Sequence, residues 1–90
     1  MHYVYVLRSK LADRHYIGST ADTTTRLKKH NAGGVRSTKP YRPWEMVHVE
    51  EYHDKTTARR REIFLKKTAR VRKELFAKLD AEPPALSSIG

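Results

Sequence analysis

The sequence contains no cysteine, which removes a disulfide framework, a thiolate zinc site and a thiol nucleophile together. Glycine and proline number only four each, and no stretch reads as a low-complexity linker or an internal repeat. Long apolar runs are missing, and none approaches the ~20 residues needed to span a bilayer. Acidic residues are scarce as well. Ten Asp and Glu stand against 19 Lys and Arg, a formal charge of +9. The opening Met1-His2-Tyr3-Val4-Tyr5-Val6-Leu7 has neither a basic leader nor a small-residue cleavage site, so no secretory signal is expected. These absences predict a soluble, cytoplasmic, strongly basic protein.

With 90 residues, one domain is expected, spanning 1–80, and its core must be thin because a small chain buries a modest share of its surface. The hydrophobic share of 38% is too high for full disorder, while the charged share of 32% demands a heavily solvated surface. An excess of positive charge favours polyanions, nucleic acid first, through counterion release. An anionic membrane is the weaker candidate, since it would call for an apolar face opposite the charge.

Tyr3–Leu7 is β-branched and aromatic and predicts a strand buried on both faces. A polar turn leads to a second strand at His15–Ser19, most simply an antiparallel hairpin. Asp22 or a following Thr caps a helix that runs to Asn31 and stops at Gly33-Gly34, with Leu27 as its apolar anchor. Residues 35–43 are basic and broken by Pro40 and Pro43, a loop. Trp44 to about Tyr52 predicts a third strand, with Val47 and Val49 on one face. Asp54 caps a helix ending near Thr68, and Val71, Leu75, Phe76 and Leu79 form the apolar stripe of another. Residues 81–90 lack periodicity and read as a flexible tail. The order β-β-α-β-α-α predicts an α+β fold, a small antiparallel sheet flanked by helices.

Three features bear on chemistry. Counting ~100° per residue from Ala58, Glu62 falls at ~40° and Leu65 at ~340°, so a carboxylate lies within an apolar stripe. That is costly unless it is paired or holds a metal; an ion pair with an arginine such as Arg61 is the plainer alternative. Arg26 and His30 are four apart and share a helix face, where a guanidinium grips phosphate and an imidazole steadies it or moves a proton. A solvated basic face is the bland alternative. Tyr5 and Tyr16 are spaced so that neighbouring strands can present both phenols to one pocket, although sheet tyrosines are more often structural. A nearby cation would make such a phenol a usable proton acceptor. Gly18 permits a backbone approach that a side chain would block.

Taken in order, Tyr3-Val4-Tyr5, Tyr16-Ile17-Gly18, Arg26 with His30, and Glu62 on a later helix resemble the GIY-YIG nuclease family, in particular its short single-domain bacterial members. The resemblance spans roughly Tyr3 to Lys67. It implies hydrolysis of phosphodiester bonds in DNA, with repair or recombination as the expected setting. It implies Glu62 as the ligand of one Mg2+ or Mn2+, Tyr5 and Tyr16 as lining the site and helping activate water, and Arg26 and His30 as contacting the scissile phosphate. A hard cation wants carboxylate oxygen, and phosphoryl transfer wants positive charge around the phosphate. Two departures stand out: Tyr3 replaces the family's first glycine, and Asn31, the one asparagine, lies in the first helix rather than beyond the glutamate.

Arg36, Lys39 and Arg42 in the basic loop, with Arg59 and Lys66 on the glutamate helix, are the candidate backbone contacts. Trp44 reads as core or lid. His2, His15, His48 and His53 show no metal-ligand spacing. The alternative to a nuclease is a non-catalytic nucleic-acid-binding module on the same basic face, followed by a structural protein whose charge is incidental. A protein partner for targeting, no membrane, and a monomer or weak homodimer complete the expectations.

Overall fold

Tyr3 to Leu7 carry the least polar stretch of the chain, and in the computed structural model, which describes residues 1–81, they form the middle of the central strand. This strand, β1 (His2–Ser9), lies between β2 (His15–Thr20) and β3 (Trp44–Tyr52), and both pairings are antiparallel. Val4, Tyr5, Val6 and Leu7 are all fully buried, as expected of a strand covered on both faces.

The two faces have different covers. Val4, Val6 and Ile17 pack with Ala58 and Leu65 of α2 (Lys55–Lys67) and Leu79 of α3 (Ala69–Ala81). Tyr5, Leu7 and Trp44 form a second cluster on the other face with Tyr16, Leu27, Tyr41 and Met46. Leu27 belongs to α1 (Thr23–Asn31), whose N-cap is Asp22, accepting from the Thr25 amide at 3.1 Å. The helix ends through Gly33, whose positive φ of 85° is the left-handed turn that glycine adopts without strain. Asp54 caps α2 in the same way, accepting from the Thr57 amide at 2.7 Å.

The structure departs from the sequence reading in three places. The loop holds a short 3-10 turn at Lys39–Tyr41. The register of β1 on β3 shifts between Val6 and Leu7, a bulge that unsettles simple alternation. Val47 therefore packs on the α2 side, while Val49 pairs with Tyr5 on the other face and is 46% exposed. They do not share a face. The expected tail lies outside the described residues except for Ala81, which closes α3. Among the described residues, no helix is long and apolar enough to cross a membrane.

Candidate active site

β2 is an edge strand, and the groups singled out in the sequence gather around it from both sides. Pairing of Tyr5 with Gly18 and of Leu7 with Tyr16 puts the phenols on the α1 face. A side chain at Gly18 would place Cβ 2.5 Å from the Tyr5 hydroxyl, so glycine is what lets the phenol lie across β2. The Tyr5 and Tyr16 rings are 6.2 Å apart, and Tyr16 lies 4.9 Å from the His30 ring.

One turn of α1 brings Arg26 and His30 to these rings. Arg26 Nε donates to the Tyr5 hydroxyl at 3.3 Å, a bond that stabilises the guanidinium. The Tyr5 hydroxyl lies 2.9 Å from His30 Nε2, and His30 Nδ1 lies 2.8 Å from Thr38 Oγ1. Thr38 donates its own proton to the Val35 carbonyl at 3.3 Å. Its oxygen therefore accepts from Nδ1–H, which leaves Nε2 to accept from Tyr5. Burial, with the Arg26 and Lys29 charges, lowers the His30 pKa to about 4, so the imidazole is neutral. Burial also pushes the Tyr5 phenol above its ordinary value, against the pull of the Arg26 hydrogen bond; Tyr5 keeps its proton.

His30 and Tyr5 have no accessible surface; His30 bonds Tyr5, and Tyr5 in turn holds Arg26. Half-buried Tyr16 is the phenol that solvent reaches. Thr38, fully interior at 1% exposure, was not read from the sequence, since nothing local to a basic loop marks one threonine as a histidine's partner.

Glu62 approaches from α2, on the opposite face of β2. Its side chain is 8% exposed. Ser19 Oγ donates to Oε1 at 2.7 Å and Lys66 Nζ to Oε2 at 2.8 Å. Burial works to raise this carboxyl, but the bonds from Lys66 and Ser19 outweigh it and hold it below the usual carboxylate range. The ion pair is thus with Lys66, one turn on, rather than with Arg61, which grips Glu50 of β3 at 2.9 and 3.1 Å. Lys66 also lies 5.7 Å from the centre of the Tyr16 ring, linking the carboxylate to the phenols around the strand edge. An ionised carboxylate with lone pairs to spare, beside a hydroxyl oxygen, is a donor set that fits magnesium, which keeps most of its waters.

Arg36, Lys39, Arg42 and Arg59 are exposed, and none pairs with a carboxylate among the described residues. Lys66 differs, being engaged by Glu62. Trp44 is core: it is 4% exposed, and its indole donates to the Thr38 carbonyl at 2.9 Å. Asn31 clamps the Trp44 backbone, accepting from its amide at 2.6 Å and donating to its carbonyl at 3.1 Å. His15 proves to have company. Asp13, His15 and Asp80 bring ligand atoms within 4.8 Å of one another, a surface group capable of coordinating a divalent ion. It is separate from Glu62, and Arg8 already pairs with Asp80 at 3.2 Å. No sequence spacing links His15 to a residue so distant in the chain.

The family model described as the GIY-YIG catalytic domain matches residues 1–74. The UPF0213 protein YazA of Bacillus subtilis is 38% identical over 76 residues, covering 83% of this chain and 76% of that protein. The UPF0213 protein VNG_2274C of Halobacterium salinarum is 37% identical, covering 82% and 96% respectively. The solution NMR structure of the UPF0213 protein BH0048 from Bacillus halodurans matches with a TM-score of 0.55 at 35% identity, covering 91% of this chain and 87% of the other. Relatives thus occur in archaea as well as bacteria, wider than the bacterial set expected.

Proposed function

The chain belongs to the GIY-YIG family, and from that membership we propose that it is an endonuclease hydrolysing phosphodiester bonds in DNA with one divalent cation. The observation that carries this reading is a guanidinium held by a phenol on one face of β2 and an ionised, nearly buried carboxylate on the other, with Lys66 beside both that carboxylate and the Tyr16 ring. Glu62 holds Mg2+ or Mn2+. When bound, the ion supplies Lewis-acid charge and a more acidic water. Arg26, fixed by Tyr5, meets the charge that develops on the phosphate oxygens. Tyr16, open to solvent, orients the attacking water or takes its proton. The neutral His30, pinned by Thr38, keeps Tyr5 and hence Arg26 in place.

The test is incubation with branched, nicked and plain duplex DNA in Mg2+ or Mn2+, beside Glu62→Gln. Cleavage by the wild type, lost by a factor of 100 or more in the variant, is the expected result; equal cleavage by both proteins rejects Glu62 as the ligand. A second reading draws on the Lys66 ammonium seated 2.8 Å from Glu62, a cation already neutralising the carboxylate. In that reading the protein binds nucleic acid without cutting it. Its affinity then falls steeply with salt and is indifferent to chelator.

A further inference from the structure

Between the end of α2 and the middle of α3, beside β2, lies a cleft of about 310 Å³ lined by His15, Tyr16, Ile17, Lys66, Arg72 and Phe76. Ligand pockets begin near 300 Å³, so the cleft has room for one small group. Its wall is aromatic and fixed. The His15 and Phe76 rings stack with centres 4.2 Å apart and planes within 10°, and His15 Nε2 is held by Asp80 at 2.9 Å. Asp80 is itself held by Arg8.

Two cations line the same cleft. Lys66 spends one of its three donors on Glu62. Arg72 Nη1 donates to the Leu65 and Lys66 carbonyls at 3.2 and 2.6 Å, where the negative end of the α2 dipole steadies it. Its other donors have no partner among the described residues. A ligand that used only charge would gain nothing from the stacked wall, and one that used only apolar contact would strand the cations. A nucleotide uses both. Tyr16 and Lys66 belong to this cleft and to the candidate active site alike, so the occupant would adjoin the scissile phosphate.

We propose that the cleft is a subsite for one unpaired nucleotide, its base against the His15–Phe76 wall and its phosphate between Lys66 and Arg72. The proposal rests on the nuclease reading only in taking nucleic acid as the substrate. A nucleotide released from pairing fits where a paired one does not, so the preferred substrates are those with a displaced or single-stranded residue next to the cut.

The test is a metal-free NMR titration with a short single-stranded oligothymidylate and with the same oligomer made abasic at each position in turn. Inorganic phosphate serves as the charge-only probe. The His15 and Phe76 ring signals are expected to shift with the oligomer and not with phosphate. One abasic position is expected to weaken binding about tenfold, the size of a single stacking contact, and the others to leave it unchanged. Phe76→Leu, with its melting curve recorded, should erase that positional difference. Equal binding of every abasic oligomer, or unmoved ring signals, overturns the subsite. If duplex DNA is cut regardless of a base at this position, the nuclease reading stands without the subsite. If binding depends on the base but no DNA is cut in Mg2+ or Mn2+, the subsite stands and the nuclease reading falls.

Discussion

A phenol with no accessible surface cannot exchange a proton with bulk water, so in the proposed reaction the two tyrosines divide their tasks. Tyr16→Phe should lower cleavage about 10²- to 10⁴-fold, the scale of general acid–base help, with little change in melting temperature. Tyr5→Phe should instead destabilise the protein by about 1–3 kcal/mol, because it strips a partner from buried His30 and another from half-buried Arg26. Paired melting and cleavage assays separate the two, and equal melting losses in both variants would contradict the division. Gly18→Ala drives a methyl into the Tyr5 hydroxyl. It should cost about 1–3 kcal/mol and lower cleavage, whereas Ser19→Ala should not clash. His30 gives a pH signature. It ionises near pH 4 in the folded chain against an ordinary 6.5, so between those values the unfolded chain binds more protons. Stability therefore rises with pH across 4 to 6.5 and is lost on acidification, by up to about 3 kcal/mol. The melting-temperature advantage of wild type over His30→Gln should shrink as pH falls through that window; a constant advantage would refute it. Arg26 and Glu62 were legible as candidates because helical spacing alone puts them on particular faces. The burial of His30 was not, since α1 carries a single apolar residue and offers no stripe to say which side faces inward.

At the level of elements, polar ties add to the apolar packing between helices and sheet. Asn31 ties the end of α1 to the start of β3 through both backbone groups of Trp44. Asn31→Ala leaves those groups without their partner and should cost about 1–3 kcal/mol, read as a lower melting temperature and faster amide exchange at Trp44. Unchanged exchange there would dismiss the clamp. The polar tie between α2 and β3 is Arg61 on Glu50. There His48 above all, with Arg61 and Tyr52, lowers the Glu50 pKa to about 2 against desolvation; its contribution is full above pH 4.5 and fades as pH falls toward 2. The strands and helices themselves were readable, because β-branched runs and Asp caps act locally. Their joints were not. The register shift on β3 and the His15–Asp80 bond depend on residues that meet only once the chain has folded. The Lys66–Glu62 pair is an i, i+4 match that helical geometry allows, yet the sequence reading offers Arg61 as the partner instead.

Considered as a whole, the molecule keeps Arg36, Lys39 and Arg42 exposed in the loop and Arg59 exposed on α2, free of ion pairs among the described residues. Replacing the three loop cations with Gln should flatten the plot of log affinity for duplex DNA against log salt by about 0.9 for each that contacts a phosphate. An unaltered slope would remove the loop from the interface. Net charge was legible from composition, but which cations remain unpaired depended on where the acids fell. The placement of Tyr5 on the innermost strand has one more consequence. Amides in such a strand become exposed only when the entire domain comes apart, so the anchor of Arg26 admits no partial loosening. Thermal inactivation of cleavage should then trace the same curve as loss of secondary structure, with no temperature at which a folded but idle protein accumulates.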